Sequence, residues 1–310
     1  MNDIKSLKCV IFYNHYHNGD IHYSRNFCRD IIKGLREYNS DLKFYYFHSN
    51  NPTLVQDVCD FIPHTVYDLS NIGSHINQHS QIIVQKDHLF LNTWIGSVGY
   101  KFLGEEGCTL DSNIRMYREM YDQLNSLFNI NLTIKERDTY LPEIEFSKFR
   151  INEIKPLPKN IVLVCNNFVA SGQAPNFDFS HDFIAISEQY PHLNFILTNK
   201  YEPHITGKSN VYYIDEFISG FNLNEIGYIS LNCKLIVGRN SGPFCFATNK
   251  QNYLRNNVSF VTMGTSANIG DAHLPESYWG RVPNGKLYTM LDPDQPTYIN
   301  LVKKALQELI

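Results

Sequence analysis

Apolar and polar positions along this chain alternate between two rhythms, and the order of the rhythms predicts the fold. The run Cys9-Val10-Ile11-Phe12-Tyr13 is a fully apolar strand. A polar loop follows, and then a helix over about 24–38, whose Phe27, Ile31, Leu35 and Tyr38 recur at the helical period. A second strand is expected at 43–47. Together these form a β-loop-α-β unit, the building block of a parallel sheet. Residues 82–92 read as a hairpin turning at Lys86-Asp87. A long helix is expected from Asp111, a good N-cap, to about 128, with Ile114, Tyr117, Tyr121, Leu124 and Phe128 as its apolar stripe.

The stretch 151–160 holds Lys155-Pro156-Leu157-Pro158-Lys159 and reads as a linker. Beyond it the alternation restarts. Strands are expected at 161–165, 194–198, 211–214, 235–237 and 260–262, and helices near 182–190, 223–231 and 297–309. Two successive α/β runs predict two Rossmann-like domains, 1–155 and 156–310, facing a cleft.

Composition narrows the class. At 310 residues, 43% hydrophobic and 19% charged, the chain matches an ordinary globular protein with room for two domains. A formal net charge of -4 argues against nucleic-acid partners, which need a basic surface. No apolar run is long enough to span a bilayer, and no signal-peptide core is evident near residue 1. Peripheral membrane contact stays open. The seven cysteines are scattered without a Cys-x-x-Cys pair, which suits reduced thiols in a cytoplasmic protein.

The most informative segment is 234–248. The strand Leu235-Ile236-Val237 ends at Gly238, the polar turn Arg239-Asn240-Ser241-Gly242 follows, and Pro243 opens an apolar helix. Such a turn offers an anion unpaired backbone N–H groups, the Ser241 hydroxyl, close approach at Gly242 and the charge of Arg239. The competing reading is a plain helix start with a surface arginine.

The first loop, 14–25, carries His15, His17, Gly19, Asp20 and His22. It lies at the carboxyl edge of a strand, where open α/β sheets bind ligands. Three readings compete. Asp20 is a general base held by the Gly19 turn. The histidines and Asp20 bind a metal. Asp20 merely caps the helix and the histidines lie at the surface.

With both loops in view, the chain resembles the lipopolysaccharide heptosyltransferase family and, more broadly, glycosyltransferases of the GT-B fold. That family opens with a strand, a glycine-rich loop ending in Gly-Asp and a helix, matched here by Gly19-Asp20. Its second domain carries Asp-Thr-Gly-x-x-His after a strand, matched by Asn240-Ser241-Gly242-Pro243-Phe244-Cys245. The resemblance covers most of the chain.

It implies an α/β, GT-B-like protein that moves a sugar from a nucleotide-diphosphate sugar to a glycan or other hydroxyl acceptor, with a glycan or lipid-linked acceptor as partner. Asp20 matches the catalytic base. Ser241 and Gly242 match donor pyrophosphate contacts, and Asn166 and Asn167 lie where the family places donor-phosphate ligands. Arg239 and Asn240 join this donor set, with Asn199 at the end of a neighbouring strand. Gly19, His17, His22, Asn92 and Trp94 form the acceptor side, where Trp94 is a candidate to stack on a sugar and a core Trp is the alternative. Enzymes of this kind generally need no bound metal, and none is expected here. The sequence departs from the pattern at Asn240 and Cys245. It also has no Lys or Arg between residues 162 and 199, so Arg239 or Lys200 would supply the charge. A non-catalytic nucleotide- or sugar-binding relative and a polysaccharide pyruvyl-transferase-like enzyme are the competing classes.

Overall fold

The computed structural model describes residues 3–14, 17–48, 51–62, 80–98, 110–169, 174–200, 210–239, 241–255, 257–264 and 287–309. The chain divides into two compact units, with the change between Glu143 and Ile144.

The first unit contains strands β1 (Cys9–Asn14), β2 (Lys43–His48), β3 (Asp60–Ile62), β4 (Ile82–Gln85) and β5 (His88–Asn92), with helices α1 (Asn18–Tyr38) and α2 (Leu110–Phe128). The sheet order is β3-β2-β1-β5-β4. All neighbours pair parallel except β4 and β5, the expected hairpin, whose turn is closed by Lys86 at a φ of 54°. β1 is buried along its whole length, as a central parallel strand should be. Tyr13, Phe47 and Phe90 form part of one face of the core. Phe27 of α1 stacks on the rings of Tyr117 and Tyr140, at centroid distances of 4.0 and 4.1 Å.

Polar clamps fix α1 against this unit. The buried Asp57 takes ion pairs from Arg25 and, at 2.8 Å, from Arg29. Asp30 accepts from the hydroxyls of Tyr121 and Tyr140 at 2.9 and 2.8 Å and pairs with Lys135. Buried charges of this kind are tolerated because each finds partners.

The structure lengthens the first helix relative to the sequence reading. α1 starts at Asn18, not near residue 24, so Gly19 and Asp20 lie in its first turn. Ile21 is fully buried and anchors that turn, which the polar composition of 14–20 conceals.

The second unit contains strands β6 (Ile161–Cys165), β7 (Asn194–Leu197), β8 (Val211–Tyr213), β9 (Cys233–Arg239), β10 (Ser259–Gly264) and β11 (Leu287–Leu291). Its helices are α3 (Asp182–Gln189), α4 (Leu223–Ser230), α5 (Gly242–Ala247), α6 (Lys250–Tyr253) and α7 (Gln295–Gln307). The sheet order is β11-β10-β9-β6-β7-β8, and every pair is parallel. Counted from β6, this is the doubly wound order 3-2-1-4-5-6 read from the β8 edge. Val162, Val164, Leu197, Val237 and Val261 belong to a core shared with Phe183 of α3 and Tyr298, Val302 and Leu306 of α7. α4 starts on a capping box: the Asn222 side chain accepts the Asn224 N–H at 2.8 Å, and Glu225 returns the bond to the Asn222 N–H. The proline-bearing stretch is held to this unit. Lys155 N–H donates to the Phe217 carbonyl at 3.0 Å, and Arg150 donates to the Gly220 carbonyl at 2.6 Å.

Candidate functional site

Each sheet has one point where the chain leaves one side of its first strand and resumes on the other. Loops diverge there at the carboxyl edge and leave a crevice, the usual ligand position in open α/β sheets. In the first unit the point lies between β1 and β5. In the second it lies between β6 and β9.

At the first point, β1 ends at Asn14, which is fully buried. Its Oδ1 accepts the His17 N–H at 3.1 Å and turns the chain into α1. Asp20 follows in the first helical turn; the residue is partly exposed, and its carboxyl is largely surrounded by protein atoms. Burial lifts that carboxyl to about 6, against the opposing pull of the neighbouring His17 and the backbone N–H of Ile95. Ile95 belongs to the chain just past β5, so Asp20 is tied to both sides of the switch point.

β5 ends at Asn92, whose Oδ1 accepts the Trp94 N–H at 3.0 Å. The Trp94 ring is half-buried and lies 6.1 Å from the His17 ring. It rests on Gly96, where a Cβ would come within 2.3 Å of the indole. Thr93 and Tyr46 share a hydrogen bond of 2.6 Å behind this layer. His17, Asp20, Asn92 and Trp94 therefore gather at one edge, with Gly19 in the same helical turn. His22 is fully buried beside Tyr23, withdrawn from solvent. His15 lies outside the described residues.

At the second point, Gly238 lets β9 close on β6. A Cβ there would sit 2.6 Å from the Cβ of Cys165 and 2.8 Å from its carbonyl oxygen. Beyond β6, the buried Asn166 amide is used within the protein. Its nitrogen donates to Ser180 Oγ and to the Asn199 carbonyl, both at 2.9 Å, and its oxygen accepts the Asn199 N–H at 2.8 Å. Asn167 accepts from the Thr198 hydroxyl at 2.6 Å. Asn166, Asn167 and Asn199 thus form one interlocked loop cluster.

Arg239 is fully buried. Its guanidinium donates to the carbonyls of Asn166 (3.1 Å), Asn167 (3.0 Å), Pro175 (3.0 Å) and Phe177. It also lies over the rings of Phe168, Phe177 and Phe179, at 5.5, 5.8 and 4.8 Å. Burial lowers its pKa from the usual arginine value. The sequence offered Arg239 as a charge for the ligand; its place in the structure is inside the loop, which it holds shut.

Ser241 precedes α5, and its carbonyl accepts the Cys245 N–H at 2.8 Å. Its hydroxyl does not cap the helix and has no partner among the described residues. The fully buried Thr262 hydroxyl on β10 is likewise without one. Unsatisfied buried hydroxyls are uncommon and mark places where a ligand or water completes the bonding. Gly242 opens α5, and Asn240 lies outside the described residues. Lys200, past β7, pairs with Asp215, past β8, at 2.5 Å.

Three contributors were missed in the sequence reading: the Ile95 N–H, Thr262 and Phe168. Thr262 had a readable signal, a hydroxyl in an apolar strand running to the same edge. Phe168 sits directly after Asn166-Asn167. The Ile95 contact had none.

Among the described residues, no group of three or more His, Cys, Asp or Glu is arranged to hold a metal ion. None of the described helices is long and apolar enough to cross a membrane.

No protein-family model matches the chain, and the search of curated proteins gives no match. Solved structures do match over nearly the whole length. E. coli heptosyltransferase WaaC with ADP aligns with 97% of this chain and 100% of its own, at 8% identity and a TM-score of 0.50. E. coli ADP-heptose lps heptosyltransferase II aligns over 98% of both chains, at 10% identity and a TM-score of 0.49. A glycosyl transferase family 9 structure from Veillonella parvula covers 100% of this chain and 92% of its own, at 13% identity and a TM-score of 0.46. At these identities the likeness is one of fold, and the fold is the GT-B-like one that the sequence resemblance implied.

Proposed function

We propose that the protein is a glycosyltransferase that moves a sugar from a nucleoside-diphosphate sugar to a hydroxyl of a glycan or lipid-linked acceptor, without a bound metal. The observation that carries this reading is Asp20: a carboxyl at the switch point of a parallel sheet, lifted to about 6. A general base works best with a pKa near the working pH. An aspartate at its ordinary value of 3.8 is a far weaker proton acceptor.

In the reaction, Asp20 takes the acceptor hydroxyl proton as the oxygen bonds to the anomeric carbon. The bond from that carbon to the donor phosphate breaks, and the nucleoside diphosphate leaves with the electron pair. Asn92 and Trp94 would hold the acceptor. The second unit would hold the donor, with the unpartnered hydroxyls of Ser241 and Thr262 as donors to its pyrophosphate. Arg239, Asn166, Asn167 and Asn199 would keep that loop in shape. One solved structure of similar fold is described as a heptosyltransferase with ADP, which supports a nucleotide as the ligand class. The six free cysteines among the described residues, five of them buried, suit the reducing cytoplasm where we assign the protein.

Thermal-shift measurements with UDP, GDP, ADP and CMP and their sugars test the donor side. A ligand at a hundred times its dissociation constant should stabilise the fold by about 2.7 kcal/mol. If none of them moves the melting temperature, the donor reading fails. Binding without turnover would favour a non-catalytic relative, and transfer from phosphoenolpyruvate a pyruvyl transferase.

A further inference from the structure

Among the described residues only two large apolar side chains are strongly exposed, and one of them, Phe168, is 55% exposed at the second switch point. It lies three residues past the end of β6, and β6 neighbours β9, whose end leads to Ser241. Its setting is rigid. Asn166 and Asn167, just before it, have their carbonyls fixed by Arg239. Val169, just after it, exchanges two hydrogen bonds of 2.8 Å with the Asn176 side chain. The chain thus holds an aromatic ring out in water on a loop braced on both sides. Leaving such a ring exposed forgoes part of its burial free energy, which a ligand can recover.

We infer that Phe168 is a stacking platform for the nucleobase of the donor, with purines bound better than pyrimidines. The inference rests on the donor-site reading given above. The guanidinium behind the ring decides between two flat partners. Arg239 lies 5.5 Å over the Phe168 ring and draws on its negative face. A sugar presents C–H groups of partial positive charge, which favour an electron-rich ring and lose by that withdrawal. A nucleobase presents an electron-rich π face and gains from it. The larger purine also overlaps more of the ring.

Calorimetric titration of ADP, GDP, UDP, CDP and inorganic pyrophosphate into wild type and Phe168→Ala tests this. Phe168→Ala should weaken purine diphosphates about tenfold and pyrimidine diphosphates less, and leave pyrophosphate unchanged. Phe168→Trp should restore purine affinity and add an indole emission that the nucleotide quenches. Equal affinities in wild type and Phe168→Ala would overturn the inference while leaving the donor site intact. So would an equal loss for pyrophosphate, or, in a parallel titration of ADP-, GDP- and UDP-sugars, a loss seen only with the nucleotide sugars and not with the free diphosphates, which would assign the ring to the sugar. Failure of the wild type to bind any of the nucleotides would instead overturn the donor-site reading itself.

Discussion

Asp20 holds its proton to about 6 in the fold, against 3.8 for the free side chain. The folded state therefore binds more protons than the unfolded state between these values. Stability contributed at this site is highest in acid and falls as pH rises through about 6. Asp20→Asn removes that penalty. It should stabilise the protein at pH 8 by at most about 3 kcal/mol, and by little at pH 4, as chemical denaturation at the two pH values will read. In the proposed reaction the base must be ionised, so transfer by the wild type should rise with pH through about 6 and then level. Arg239 gives a contrasting case. Four of its bonds go to carbonyls 62 to 73 residues away in sequence, so its role as a brace cannot be read from its neighbours. Arg239→Lys leaves several buried carbonyls without donors, and each costs about 1–3 kcal/mol. A fall of at least about 2 kcal/mol in the urea denaturation of this variant is expected.

The elements were largely legible because most announce themselves by period. β1, β2, the hairpin of β4 and β5, α2, and the alternation from β6 to β10 follow apolar runs bounded by turn residues, whereas the edge strands β3, too short for such a run, and β11, half-exposed, were not read. Where reading and structure part, the cause is contact rather than pattern. The first turn of α1 is polar in sequence and is secured by Ile21 burial and the Asn14 side chain. β9 runs from Cys233 to Arg239, longer than its apolar run, because neighbours flank it on both sides. The candidate edges were legible too, since the carboxyl ends of parallel strands follow from element order. The engagement of Asn166 with Asn199 was not, since it depends on which strands are adjacent. Gly238 is the element-scale test. Gly238→Ala drives a Cβ into Cys165 across the β6–β9 seam and should destabilise by about 1–3 kcal/mol, read from the midpoint of urea unfolding.

The whole molecule consists of two compact units, each with one polar edge at its switch point, and in the proposed function the two divide the labour. A nucleoside diphosphate should protect the second unit, not the first. Saturating ligand is expected to slow amide hydrogen exchange at 161–169 and 233–247 and to leave β1 and β5 unchanged. Protection confined to the first unit would move the donor site there. Release of nucleoside diphosphate from a panel of nucleotide sugars by wild type and Asp20→Asn tests the role of Asp20 as the base. The wild type should consume a nucleotide sugar, and the variant should bind the same donor equally well but turn it over about 100- to 10,000-fold more slowly. Turnover undiminished in Asp20→Asn would contradict that role.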